Sequence, residues 1–401
     1  MRQAFVILLL SAFVLHAETL DELLRVAETN NPSIRAAHNR WQAAREQTVI
    51  AGALPDPRLS YGYYLEEVQT KTGPQQHRAG FSQTFPMFGK RGLGETAAAH
   101  SAEALYSRYR AVRAETLFQL KKSWFELIYL DRALDTEQTR QKLFQTLEKT
   151  AERAVENGGD ARDLLELRIS LTQIQDTVQT LEAKRAPLEA KLNALLNRDS
   201  TTPLDTPQTL PPAKPLNELE LQAAFRDGNP AIEEQRARLA LEQAKETLAK
   251  RNWLPDVTLG ADWIETGDGG DDPLIANISI NLPLWHSKNR AERLSAGFEQ
   301  AAQTSQLQDQ INTAQVWLTE SFITRNDAAR RAAFYAAELV PPAEQHFELT
   351  RTAYENGKDD LRELILSEER LLRLRLMLER AHTDRAIAEA EIEKILGGPA
   401  Q

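Results

Sequence analysis

The sequence predicts a mainly α-helical protein carrying a small β part suited to a membrane. Three observations point there. The chain is written twice with a period near 200 residues, each copy holds a very long helical stretch that folds back, and each copy holds two short alternating segments. The repetition is set by four landmarks. Asn31-Pro32, Leu54-Pro55-Asp56, Phe85-Pro86 and Glu156-Asn157-Gly158 recur as Asn229-Pro230, Leu254-Pro255-Asp256, Leu282-Pro283 and Glu355-Asn356-Gly357, at offsets of 198, 200, 197 and 199. Such a period is too long for a solenoid and implies a duplicated domain with its copies side by side. The predicted organisation is a signal peptide over 1–17, a first repeat over 18–200, a linker over 201–216 and a second repeat over 217–401.

Each copy reads alike. A helix of about 22 residues follows Asn-Pro, where proline suits the first turn. It ends at Leu-Pro, because proline pushes its predecessor out of the helical region. A β-hairpin follows, over 57–86 in copy one and 256–283 in copy two. Next comes a long helix, 89–156 and 286–356, stopped by Asn-Gly. A returning helix covers 160–197 and 359–396. At 1.5 Å per residue the long helix spans about 100 Å, the returning helix about 57 Å and the first helix about 33 Å. The two shorter helices together match the long one, as a two-layer helical wall requires. Leu307, Ile311, Ala314 and Leu318 and, further on, Ala328, Ala332, Tyr335 and Leu339 follow 3- and 4-residue steps, the spacing of side-by-side packing. Pro341-Pro342 breaks the long helix of copy two about 15 residues before its tip, by removing a hydrogen bond and crowding the previous turn.

The four predicted strands are 57–66, 77–86, 256–265 and 274–283, ten residues each, within the ~9–11 that cross a bilayer. Leu59, Tyr61, Tyr63 and Leu65 share a face opposite Arg58, Ser60, Gly62 and Tyr64. Val257, Leu259, Ala261 and Trp263 oppose Thr258, Gly260 and Asp262; Leu274, Ala276, Ile278, Ile280 and Leu282 oppose Asn277, Ser279 and Asn281. Apolar-out, polar-in alternation is the pattern of a membrane barrel. The turns Val68–Gln76 and Gly267–Pro273 are polar. Four strands cannot close a barrel, since single-chain barrels start at 8, and an open edge in lipid is forbidden. Several copies must therefore complete one barrel; the strand count alone permits two, three or four.

Composition narrows the function. A net charge of −10 argues against nucleic acid. The absence of cysteine removes disulfides and thiolate metal sites. The apolar run Ala4–Leu15 behind Arg2 has a signal-peptide layout, with cleavage after Ala17, and no later segment is apolar enough for a membrane helix. The histidines show no metal-ligand spacing, Met87 and Met377 make no methionine relay, and Gly89–Gly94 lacks a phosphate-loop pattern. No catalytic site and no cofactor are expected.

With the duplication, the Asn-Pro openings, the Leu-Pro-Asp hairpin starts and the tip motif Tyr354-Glu355-Asn356-Gly357, nearly the whole chain resembles the TolC-like outer-membrane efflux proteins. Leu54-Pro55-Asp56-Pro57 through Phe85-Pro86-Met87-Phe88-Gly89-Lys90 looks most like the heavy-metal and copper branch. The resemblance implies a homotrimer with a long coiled-coil α-barrel in the periplasm and a shared 12-stranded transmembrane β-barrel in outer-membrane lipid. It also implies docking onto a periplasmic adaptor fed by an inner-membrane transporter of the resistance-nodulation-division type. The helix-tip turns Asn157-Gly158 and Asn356-Gly357 would then mark the adaptor-docking end. In the family an acidic residue six positions after the turn glycine lines the constriction. Glu363 matches; Asp163 stands five after its glycine. Asp160, Asp359 and Asp360 are further gate candidates, although acids in a first turn also suit the helix dipole. Pro341 and Pro342 are the candidate kink that lets the last turns bend. Two other readings remain open: a duct for type I protein or small-molecule secretion, and a periplasmic coiled-coil scaffold with no pore.

Overall fold

A computed structural model describes residues 19–398, apart from 72, 159, 207, 208, 214 and 268–270. The signal-peptide segment 1–17 lies outside the described residues. Compactness divides the chain into two units, and neither coincides with a sequence copy. Among the described residues, one unit takes 19–34, 113–222 and 317–398; the other takes 35–112 and 223–316. Each unit is therefore built from both copies.

The helices are α1 (Leu20–Asn30), α2 (Pro32–Gly52), α3 (Lys90–Glu156), α4 (Arg162–Leu196), α5 (Glu218–Gly228), α6 (Pro230–Ala249), α7 (His286–Phe334), α8 (Val340–Glu355) and α9 (Leu361–Ile395). The separate helices α1 and α5 add to the expected pattern. A capping box starts α1: Thr19 accepts from the Glu22 amide, and Glu22 returns to the Thr19 amide. The Asn-Pro landmark is a corner. The Asn31 amide bonds Ala27 O at 3.0 Å and closes α1. Its side chain accepts from the Ser33 and Ile34 amides, opening α2, and donates to Leu195 O. Asn229 repeats the cap on Ile232 with Pro230 in the first turn.

In the helical unit, one core gathers Leu23 and Ala27 of α1 with Leu120, Trp124, Leu127 and Ile128 of α3, Leu192 and Leu196 of α4 and Ala386 and Ala390 of α9. Nearer the turns, a second core joins Phe144, Leu147 and Ala151 of α3, Leu167, Leu171 and Ile174 of α4, Ala343 and Phe347 of α8 and Leu361, Leu364 and Ile365 of α9. The linker packs here too. Leu204 enters the first core, Leu204 O accepts from Arg185 at 2.8 Å and Pro211 O from Arg385 at 2.7 Å.

The proline pair is accommodated differently from a simple kink. A five-residue π-helical segment, Tyr335–Leu339, precedes it, and the prolines then occupy the first turn of α8. A π segment inserts one residue and rotates the helix face. The buried stripe therefore runs Ala328, Ala332, then Val340, Ala343 and Phe347, while Tyr335 and Leu339, expected in the seam, are only partly buried.

The other unit carries one antiparallel four-stranded sheet in the order β1 (Arg58–Thr70), β2 (Gly73–Phe85), β3 (Val257–Thr266), β4 (Leu274–Ile280). The strands are unequal, at 13, 13, 10 and 7 residues, against the expected ten each. In copy one the polar stretch still pairs, Val68↔Gln75 to Thr70↔Gly73, beyond an irregularity after Tyr63. In copy two, β4 stops at Ile280 because Asn281 turns its side chain onto the Asp256 amide and Pro283 has no amide to donate.

Candidate functional site

Two features are placed where the sequence expects function. The first is the sheet. The pairing aligns Leu59, Phe81, Ala261 and Ala276 across all four strands, and Tyr61, Ala79, Trp263 and Leu274 beside them. This face is open: Leu59 is 84 % exposed, Tyr61 71 % and Ile278 73 %. An unpartnered apolar face of this extent marks a membrane or protein contact. The opposite face is polar and cross-linked. Arg78 of β2 donates to Asp262 of β3 at 2.7 Å, Asn277 of β4 donates to the same carboxylate, and Thr84 meets Thr258 at 2.9 Å. A Cβ at Gly80 would collide with the Asp262 carboxylate, so glycine is required for the approach. This network joins the two copies. It was missed in the sequence, although alternation had placed Asp262 on that face. β1 and β4 each pair on one side only. Among the described residues no helix is long and apolar enough to cross a membrane.

The second feature is the pair of turns. α3 ends with the Asn157 side chain donating to Arg153 O, and α8 with Asn356 donating to Thr352 O, both at 2.7 Å. Gly158 and Gly357 follow at φ 87° and 66°, the left-handed region where a side chain strains the backbone. Each returning helix starts four residues after its glycine, at Arg162 and Leu361.

The five acidic candidates divide by what they hold. Asp360 is the N-cap of α9, accepting from the Glu363 amide at 2.9 Å. Asp359 accepts from the Asp360 amide at 3.0 Å. Asp160 accepts from the Arg162 amide and is salt-bridged to its guanidinium, which holds the carboxyl below its ordinary value. Asp163 and Glu363 sit exposed in the first turns of α4 and α9. Neither makes an ion pair among the described residues. Asp163 also lies close enough to Tyr354 to reinforce the upward shift that burial gives that phenol. The one-residue difference in spacing is visible: Asp163 is the second residue of α4 and Glu363 the third of α9.

The sequence profile of outer membrane efflux proteins matches residues 23–198 and again 223–398. The chain belongs to the outer membrane efflux protein family. Among solved structures, VceC of Vibrio cholerae superposes with a TM-score of 0.81 at 18% identity, covering 95% of this chain and 97% of that one. CmeC of Campylobacter jejuni, an outer membrane channel, gives 0.82 at 14% identity over 94% and 85%. CusC gives 0.81 at 18% identity over 94% and 92%. No curated protein sequence matches. The fold is thus that of the TolC-like channels, mainly helical with a β part, and the family is one of outer membrane efflux channels.

Proposed function

We propose that this protein is the outer-membrane exit duct of a tripartite efflux system. It conducts passively what an inner-membrane pump of the resistance-nodulation-division type delivers through a periplasmic adaptor. The observation that carries the reading is the sheet: four strands, one face apolar and open, the other polar, and two edges unpaired. In lipid each edge needs a partner. Three copies supply twelve strands, enough to close a barrel, whose open mouth then continues into the duplicated helices. A coiled-coil scaffold has no use for that apolar face. The efflux family favours export over protein secretion.

The tip turns Asn157-Gly158 and Asn356-Gly357 are the proposed adaptor contacts. Glu363 is the proposed constriction residue, repeated by symmetry into a ring of carboxylates that favours cations. Asp163 joins it in copy one, and Asp160, Asp359 and Asp360 hold the turns in shape. Heavy-metal ions are the cargo that the hairpin flanks suggest. With no metal-binding cluster among the described residues, selection would then rest with the pump. The test has two parts. Detergent-extracted protein should run as a heat-modifiable trimer from the outer-membrane fraction and form channels in planar bilayers. In cells lacking their own duct, it should restore tolerance to heavy-metal ions more than to an organic dye. A soluble periplasmic monomer would overturn the duct; equal rescue of dye tolerance would overturn the cargo.

A further inference from the structure

The two copies are joined along α3 and α9 by a ladder of ion pairs. Its rungs are Glu115–Lys394, Lys121–Glu393, Glu126–Arg380, Arg132–Glu379 and Arg140–Glu368. Beyond residue 140, toward the turns, α3 and α9 share no ion pair among the described residues, and the second apolar core takes over. The last rung differs from the others in two ways. It is the most buried, with Arg140 and Glu368 side chains 14% and 10% exposed. It also carries an excess acid. Glu137, only 5% exposed, stands one turn before Arg140, with its Oε2 3.6 Å from the guanidinium and without a hydrogen-bond partner. Arg140 is already committed: its Nε donates to Glu368 at 2.8 Å and its guanidinium covers the Phe144 ring.

A buried carboxylate oxygen with no donor is costly when ionised, and one guanidinium cannot neutralise two buried acids. The groups facing the cluster are Glu137 and Arg140 of α3 and Glu368 and Glu369 of α9, Glu369 being half exposed at 3.8 Å from Arg140. On the neighbouring helices, Glu344 of α8 pairs with Arg375, Arg351 of α8 with Glu348, and Arg168 of α4 with Glu148 and Glu152. We propose that Glu137, Arg140 and Glu368 form a proton-dependent latch between the two copies, closed by proton uptake, at the boundary where the ion-pair ladder of α3 and α9 gives way to the second apolar core.

Burial, the largest cause, raises both glutamates above the ordinary carboxylate range. The sign follows. An acid raised in the folded state favours folding most below its unfolded value, and that contribution is lost as pH rises through the folded value. The latch therefore tightens on acidification. Each proton taken up changes local opening by up to about tenfold per pH unit.

The test is hydrogen exchange on the full-length protein between about pH 8 and about pH 5, corrected for intrinsic exchange. It follows peptides covering 141–156 and 361–371. In the unsubstituted protein, protection should rise as pH falls. Glu137→Gln and the Glu137→Gln/Glu368→Gln double variant keep the shape; the single variant should weaken that dependence and the double variant flatten it at a protected level. Infrared spectroscopy of the unsubstituted protein gives a reading independent of any variant: a protonated carboxyl band should titrate above the ordinary carboxylate range. A pH dependence in both variants equal to that of the parent overturns the latch, and so does absence of that band. Neither readout involves cargo or adaptor, so failure here is separate from failure of the duct reading.

Discussion

Replacing the turn glycines by alanine isolates a backbone effect. A Cβ at Gly158 or Gly357 would meet nothing within 4 Å, so sterics with neighbours contribute nothing. What remains is the φ of 87° or 66°. An L-residue there costs about 1–2 kcal/mol. Alanine also restricts the locally open chain, which returns about 0.4–1 kcal/mol. The net is about 1 kcal/mol, or a five- to tenfold increase in local opening. Hydrogen exchange of the amides flanking each turn reads it. Gly158→Ala should exceed Gly357→Ala, because 87° lies further from the left-handed minimum near 57°. Asparagine, which tolerates that region, should fall between glycine and alanine at both sites. Equal exchange in all three forms would refute the reasoning, since the turns would then carry no conformational demand.

Asp360→Ala removes the α9 cap and should loosen its first turn by about 1 kcal/mol, with Asp360→Asn near parental exchange. Phe144→Ala, at a position 1% exposed, should cost about 3–5 kcal/mol in the core behind the turns, read as faster proteolysis between 141 and 156. Pro341→Ala with Pro342→Ala should let the π segment revert toward α-helix and shift the buried stripe by one residue. Unchanged closed and open conductance would show that the segment has no part in opening. Glu363→Gln should weaken block by multivalent cations applied from the periplasmic side, and unaltered block would remove Glu363 from the constriction.

The sequence by itself determined the strands, the long and returning helices and their order, but not the separate helices α1 and α5. Period-2 alternation and four nearly constant offsets are local or repeated signals, and proline or Asn-Gly at a boundary acts on its own backbone. The long helices consequently end within about two residues of where the sequence put them, a margin ordinary for helix ends. Tertiary structure decided what depends on a partner distant in sequence. Thr70 pairs with Gly73, so a stretch read as a polar turn became strand, while Asn281 met Asp256 and ended β4 early. The π segment before the proline pair shifted the helix face and left Tyr335 and Leu339 only partly buried. The same reason hid Glu137 and Glu368. In the chain they are two glutamates among many, and only the approach of α3 to α9 buries them around one arginine. The four strands, and the alternation of three of them, were legible in advance; that the sheet's centre is a β2–β3 pair between copies, tied by Arg78 and Asp262, was decided by the fold.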